Sequence, residues 1–98
     1  MSRQLVFRSQ AEREIEEAAD WYEEKRTGLG AEFLRTLESC LVSVERNPFQ
    51  YPRVYGEVRR APLRRFPYGL IYRVYEAEVV VVACMHARRD PMRWQDRH

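Results

Sequence analysis

Val79-Val-Val-Val82 narrows the possible folds of this chain more than any other stretch. Four β-branched residues in a row are poorly suited to a helix. Without polar alternation they read as a strand covered on both faces, hence central in a sheet. The run continues through Ala83, Cys84 and Met85 and delivers His86, Arg88 and Arg89 beyond its end, where side chains reach solvent. Asp90-Pro91 stops it, because proline cannot donate to a ladder and restricts the residue before it. A rigid strand with cations at its tip is a natural seat for function.

A central strand needs neighbours and a cover, and the rest of the chain supplies them in order. Leu5, Val6 and Phe7 form a first β-prone run. Ser9-Gln-Ala-Glu12 has the form of a capping box, after which Ala11, Ile15, Ala18, Ala19 and Tyr22 recur at helical spacing. The outer face of that helix is mostly acidic (Glu16, Glu17, Asp20, Glu23, Glu24) and is most simply solvated. Lys25 and Arg26 suit its last turn, and Gly28 offers a left-handed stop. A second helix carries Phe33, Leu34, Leu37, Leu41 and Val44 and ends at Asn47-Pro48. Two helices joined so closely form an antiparallel hairpin, and a sheet is the natural cover for their apolar stripes.

Asn47 to Gly56 reads as a Pro- and Tyr-rich loop. Val58 to Leu63 reads as a strand, and Pro62 places it at an edge. Tyr68 to Tyr75 alternates with Tyr68, Leu70, Tyr72 and Val74 on one face. Glu76-Ala77 closes a hairpin to Val79–Met85, and Asp90-Pro91 opens a short helix or turn through Trp94. The expected fold is α+β, ordered β-α-α-β-β-β, with a helical hairpin on a small, mainly antiparallel four-stranded sheet.

The 98 residues suffice for one domain, 1–98. No apolar run approaches the roughly 18 residues that span a bilayer, and Met1 to Leu5 lacks a secretory core, so a cytoplasmic location with no membrane partner is expected. Cys40 and Cys84 each sit in an apolar pattern and read as small buried hydrophobes. Two cysteines and two distant histidines lack metal-ligand spacing, so neither metal nor other cofactor is expected.

Charge is unevenly spread. Residues 1–57 carry 8 Arg/Lys against 11 Asp/Glu, and residues 58–98 carry 9 Arg against 4 Asp/Glu. An arginine-rich half suits phosphate or carboxylate recognition, yet charge also protects ordinary sheet edges. Arg59, Arg60, Arg64 and Arg65 fit either use. Arg88 and Arg89 either grip a partner or anchor the C-terminal segment through Asp90 or Asp96. His86 is either a proton shuttle or a strand-end histidine bonded to backbone. Trp21 and Tyr22 serve helix–sheet packing or a partner surface. Tyr51, Tyr55, Phe66 and Tyr68 stand near arginines, as base-stacking would require, or simply pack.

In this order, the segments Ala18-Ala-Asp-Trp-Tyr22, Gly28-Leu-Gly-Ala-Glu-Phe33, Asn47-Pro48, Tyr51-Pro52, Val58-Arg-Arg-Ala61, Leu63-Arg-Arg-Phe-Pro-Tyr68, Ile71-Tyr72 and His86-Ala-Arg-Arg-Asp-Pro91 with Trp94 are similar to the RelE/ParE toxin superfamily. They resemble its ParE branch more than its RelE branch. The resemblance implies a toxin of a type II toxin–antitoxin system, neutralised by a cognate ParD-like antitoxin and acting on DNA gyrase. It also implies plasmid stabilisation, growth arrest, and contact with operator DNA only through the antitoxin. The target-binding residues would be Arg59, Arg60, Arg64, Arg65, Arg88, Arg89 and Trp94.

The alternatives are a RelE-like endoribonuclease cutting ribosome-bound mRNA, or a non-toxic relative that only binds antitoxin. Against the RelE set of functional residues, Arg60 and Arg88 match. Pro62, Gly69 and Trp94 stand where the second basic residue, the third-strand arginine and the C-terminal tyrosine would be. A ribonuclease would rely on His86, Arg60, Arg64 and Arg88. Arginine holds its proton at neutral pH and is a poor base, which leaves His86 alone for acid–base work.

Overall fold

The computed structural model describes residues 3–88 and Arg97. The chain runs β1 (Gln4–Phe7), α1 (Ser9–Lys25), α2 (Leu29–Arg46), β2 (Arg53–Tyr55), β3 (Val58–Pro62), β4 (Tyr68–Val74) and β5 (Glu78–His86). The five strands form one sheet in the order β1-β5-β4-β3-β2. β1 runs parallel to β5, and every other pair is antiparallel. The helical hairpin carries the chain from one sheet edge to the other, and the meander β2 to β5 returns it to β1. The valine run is therefore flanked on both sides, as its composition predicts.

The helices cover one face. Ala11, Ala18 and Ala19 of α1 and Phe33, Leu37, Cys40 and Val44 of α2 pack on Ala61, Tyr68, Leu70, Tyr72, Val79 and Val81. Tyr22, Phe33, Phe66 and Tyr68 make an aromatic cluster there, with ring centroids 4.8–6.1 Å apart. The Tyr72 hydroxyl is buried and donates to the Pro48 carbonyl at 2.6 Å, so this phenol is satisfied inside the core. A second buried cluster of Val58, Ile71, Val80, Val82, Ala83 and Met85 occupies the opposite face.

A bulge in β5 decides which face its tip serves. Ile71 pairs with Ala83 and Tyr72 with Val81, which leaves Val82 as the extra residue. Val79 and Val81 point to the helices. Past the bulge the alternation resets, and Cys84 joins them on that side while Ala83 and Met85 stay with the other cluster. β1 stops pairing at this point, its last bond running from the Arg8 N–H to Val81 O. The Glu14 carboxylate takes over, accepting the Cys84 N–H at 3.0 Å.

Three expectations are corrected. The sheet has five strands, because Arg53–Tyr55 adds an exposed three-residue strand inside the expected loop. That strand is the edge, so β3 lies inside the sheet; Pro62, at its end opposite Gly69, lies beyond the reach of β2. The Ser9 capping box does not form. Ser9 is already helical, Arg8 is the N-cap without a side-chain bond, and the Glu12 N–H bonds the Arg8 carbonyl. The expected C-terminal helix or turn, with Asp90, Pro91 and Trp94, lies outside the described residues.

Gly28 has φ +92° and caps α2, as the left-handed stop requires. Glu23, expected to be merely solvated, accepts the Gly28 and Gly30 N–H groups at 2.9 and 3.0 Å and so satisfies two of the orphan donors at that helix start.

Candidate functional site

The arginines expected to act together are distributed over several surfaces. Arg59 and Arg60 are neighbours on β3, so they face opposite ways. The Arg59 guanidinium faces the helix side, donating to the carbonyls of Tyr51 (2.6 Å) and Phe49 (3.3 Å) and lying over the Phe49 ring. It holds the Asn47–Pro52 loop. Arg60 lies on the far face across Gly69, where a Cβ would stand 2.7 Å from its guanidinium carbon. The position that lacks an arginine is thus covered by the side chain of another.

Arg64 and Arg65 project from the turn between β3 and β4. Both are exposed, between the buried Leu63 and Phe66. Arg65 donates to Glu32 at 2.9 Å, while no hydrogen bond or ion pair among the described residues holds the Arg64 side chain. Arg88 is exposed just past β5. Arg89 and Trp94 lie outside the described residues.

His86 faces the helix side because of the bulge. Its Nδ1 accepts the Arg88 N–H at 3.1 Å, and its ring meets Tyr68 edge-on at 5.2 Å. Together with Pro67, Tyr68 and Cys84 it forms one wall of a cleft of about 590 Å3. Glu14, Glu17, Ala18, Trp21 and Tyr22 of α1 form the other. Trp21 is 52% exposed at its rim, with Lys25 Nζ 4.6 Å from the ring centroid. This cleft is aromatic and acidic.

The base of the cleft is pinned by a residue pair that sequence reasoning missed. Arg97 donates to both Glu14 carboxylate oxygens (2.9 and 3.0 Å) and stands 3.4 Å from Val82 O. Both side chains are largely shielded from water. Glu14 falls three residues after Ala11 and four before Ala18, a spacing that shares their buried face and was the available signal of an inward-leaning carboxylate. Its partner is 83 residues away, which no local pattern exposes. Burial raises the Cys84 thiol to about 12 and the Cys40 thiol to about 11. Both stay protonated at neutral pH and behave as apolar core.

Among the described residues, no group of three or more His, Cys, Asp or Glu side chains is placed to hold a metal ion. No helix is long and apolar enough to cross a membrane.

The fold is thus a helical hairpin packed on one face of a mixed five-stranded sheet. Residues 5–91 match the model of the ParE toxin of the type II toxin–antitoxin system parDE, and the chain belongs to that family. Among solved structures, a chain of the chromosomal ParDE system of P. aeruginosa superposes with a TM-score of 0.76 at 16% identity, covering 86% of this chain and 95% of that one. A free-state double arginine-to-alanine mutant of the E. coli toxin RelE superposes with a TM-score of 0.65 at 22% identity, covering 90% and 86%. At these identities both show a shared fold. No curated protein matches the sequence.

Proposed function

We propose that this chain is a toxin that acts by binding, with DNA gyrase as its target, and that a cognate ParD-like antitoxin neutralises it. Family membership supports the toxin role. What supports a binding mechanism is the shortage of proton-transfer groups: three of the four residues a ribonuclease would use are arginines, which hold their protons, and His86 is left as the one acid–base group among them. His86 lines the α1 cleft, Arg60 lies over Gly69 on the far face, Arg64 stands at the β3–β4 turn, and Arg88 is exposed past β5. Cleavage through a 2′-hydroxyl needs both an acid and a base as well as cations. His86 also has its Nδ1 lone pair engaged by backbone.

The antitoxin would lay an amphipathic helix in the α1 cleft, with its apolar stripe against Ala18, Tyr22 and Tyr68 and a contact on Trp21. Glu17, exposed along the same wall, favours a cation flanking that stripe. Target contact is assigned first to the exposed guanidinium groups of Arg64 and Arg88, then to Arg60 and Arg65, and the family resemblance adds Arg89 and Trp94. Arg59 serves mainly to hold its loop.

Purified toxin should inhibit gyrase supercoiling, leave ribosome-bound mRNA uncut, and lose inhibition on addition of the antitoxin. Message cleavage at a fixed position, with gyrase unaffected, would overturn the binding mechanism in favour of the ribonuclease. Antitoxin binding with neither activity would identify a non-toxic relative. Arg88→Ala combined with Arg89→Ala should abolish growth arrest in a folded protein. Full toxicity of that variant would remove this tip from the target surface.

A further inference from the structure

We propose a second binding site, for phosphate groups, in the groove between α2 and the β3–β4 turn. It shares Arg64 and Arg65 with the proposed target surface, but it does not require gyrase to be the target. Glu32, Thr36, Ser39 and Ser43 recur at spacings of 4, 3 and 4 along α2 and so share one helix face. That face looks across a gap to Tyr51, Pro62, Arg64 and Arg65. The gap measures about 430 Å3 and continues at Thr36, Ser39 and Arg65 into a smaller hollow of about 170 Å3 beside Arg35. Groove and hollow together are thus lined by Arg35, Arg64 and Arg65, by Ser39 and Ser43, and by Tyr51. Their one carboxylate, Glu32, is already engaged by Arg26 and Arg65.

The backbone holds the cations in place. Leu63, Phe66 and Tyr68 are buried, and the Leu63 N–H bonds Tyr68 O at 2.8 Å, so both ends of the turn are anchored in the core. Arg65 adopts φ +70°, a left-handed conformation disfavoured for any residue with a Cβ. That bend sends Phe66 inward against Tyr22 and Phe33 while Arg64 and Arg65 remain outside. Arg65 keeps donors beyond the one bonded to Glu32, and Arg64 and Arg35 have no hydrogen-bond or ion-pair partner among the described residues. Thr36 donates to its own helix at Glu32 O and contributes shape only. Ser39 and Ser43 make no side-chain hydrogen bond among the described residues.

The chemistry favours a phosphate over a carboxylate. A carboxylate is planar and one guanidinium fork satisfies it, whereas a phosphate offers oxygens in several directions and takes donors from two walls at once. Guanidinium groups at the turn and serine hydroxyls on α2 provide those two walls. Tyr51 gives a ring against which an attached base can rest. The ligand class is a phosphate ester: either the backbone of a single strand of nucleic acid, or a free phosphate or nucleotide.

The test uses the full chain with two probes, a fluorescein-labelled twelve-residue thymidine oligonucleotide read by anisotropy and inorganic pyrophosphate read by calorimetry. Arg35→Ala combined with Arg64→Ala should weaken both by about tenfold or more. Oligonucleotide affinity should fall with salt, with a slope of about 0.7 per phosphate contacted. Both arginines are exposed, so unchanged circular dichroism should accompany the loss. Tighter binding of the oligonucleotide than of pyrophosphate supports a nucleic-acid strand, and the reverse supports a free phosphate ligand. Three results overturn the site: no binding of either probe, binding that survives the double substitution, or an equal loss in Arg13→Ala on the outer face of α1. Poly-glutamate binding that depends on the same arginines, with neither phosphate probe bound, would replace it with a carboxylate site.

Discussion

The two clefts flanking the helical hairpin have opposite character. On the α1 side, Glu14, Glu17, Trp21, Tyr22 and Tyr68 make an acidic and aromatic channel. On the α2 side, Arg35, Arg64, Arg65, Ser39 and Ser43 make a basic and hydroxylic one. The same short turn, Arg64 to Pro67, serves both, with Pro67 on one cleft and Arg64 and Arg65 on the other. Charge segregated in this way would let the two proposed partners bind with little competition. An amphipathic cationic helix fits the first, and an anion fits the second.

The largest effect should come from the wall between the clefts. A Cβ added at Gly30 would stand 2.6 Å from the Ala19 carbonyl oxygen, which is helix backbone and cannot swing aside. Gly30→Ala should therefore spread the hairpin, cost about 1–3 kcal/mol in urea unfolding and weaken binding at both clefts. By contrast, the nearest atoms to a Cβ at Gly69 belong to the far end of the flexible Arg60 side chain. Gly69→Ala should displace that guanidinium at a smaller cost, and an equal loss from both would contradict this account of the hairpin.

Next in size is Glu14→Ala. It strands the Cys84 N–H and leaves Arg97 without its carboxylate, for about 1–3 kcal/mol. Hydrogen exchange at Cys84 should accelerate while Val80 stays protected. Trp21→Ala should then separate the clefts functionally. Antitoxin affinity is expected to fall about tenfold or more, as for a buried aromatic anchor, with pyrophosphate affinity unchanged. A parallel loss of both would mean that the clefts are coupled.

The smallest expected effect is electrostatic. Hydrogen bonds from Arg65, then Arg26, lower the Glu32 carboxyl below its ordinary 4.5. A lowered folded value means that this group's contribution to stability is present above pH 4.5 and is lost as pH falls through the lowered value. Arg65→Ala should raise the Glu32 midpoint toward 4.5 in an NMR titration. An unmoved midpoint would show that Glu32 does not hold Arg65 at the groove.

Much of this was legible before any coordinates. The alternation of Tyr68, Leu70, Tyr72 and Val74, the helical spacing of Phe33, Leu37, Leu41 and Val44, and the glycine stop at Gly28 each express a local rule and appear as expected, whereas Leu34, expected in the same stripe, is exposed. β2 was not legible. Its three residues are all exposed, so no burial pattern separates it from a loop, and only the backbone of β3 makes it a strand. The candidate site was legible only in part. Arg59 and Arg60 carry the same signal in the sequence, yet one is fastened to loop carbonyls and the other lies across a glycine on the opposite face.

Residue order alone settles the central strand, the helical pair and the excess of arginine in the second half, because these follow from side-chain shape, spacing and count. Tertiary structure decides which arginines stay free, which cleft each one faces, and on which side of the sheet His86 falls. Those outcomes depend on partners far away in the chain. A bulge at Val82, a carboxylate from α1 and a left-handed turn at Arg65 each redirect side chains through contacts that no short window of sequence contains.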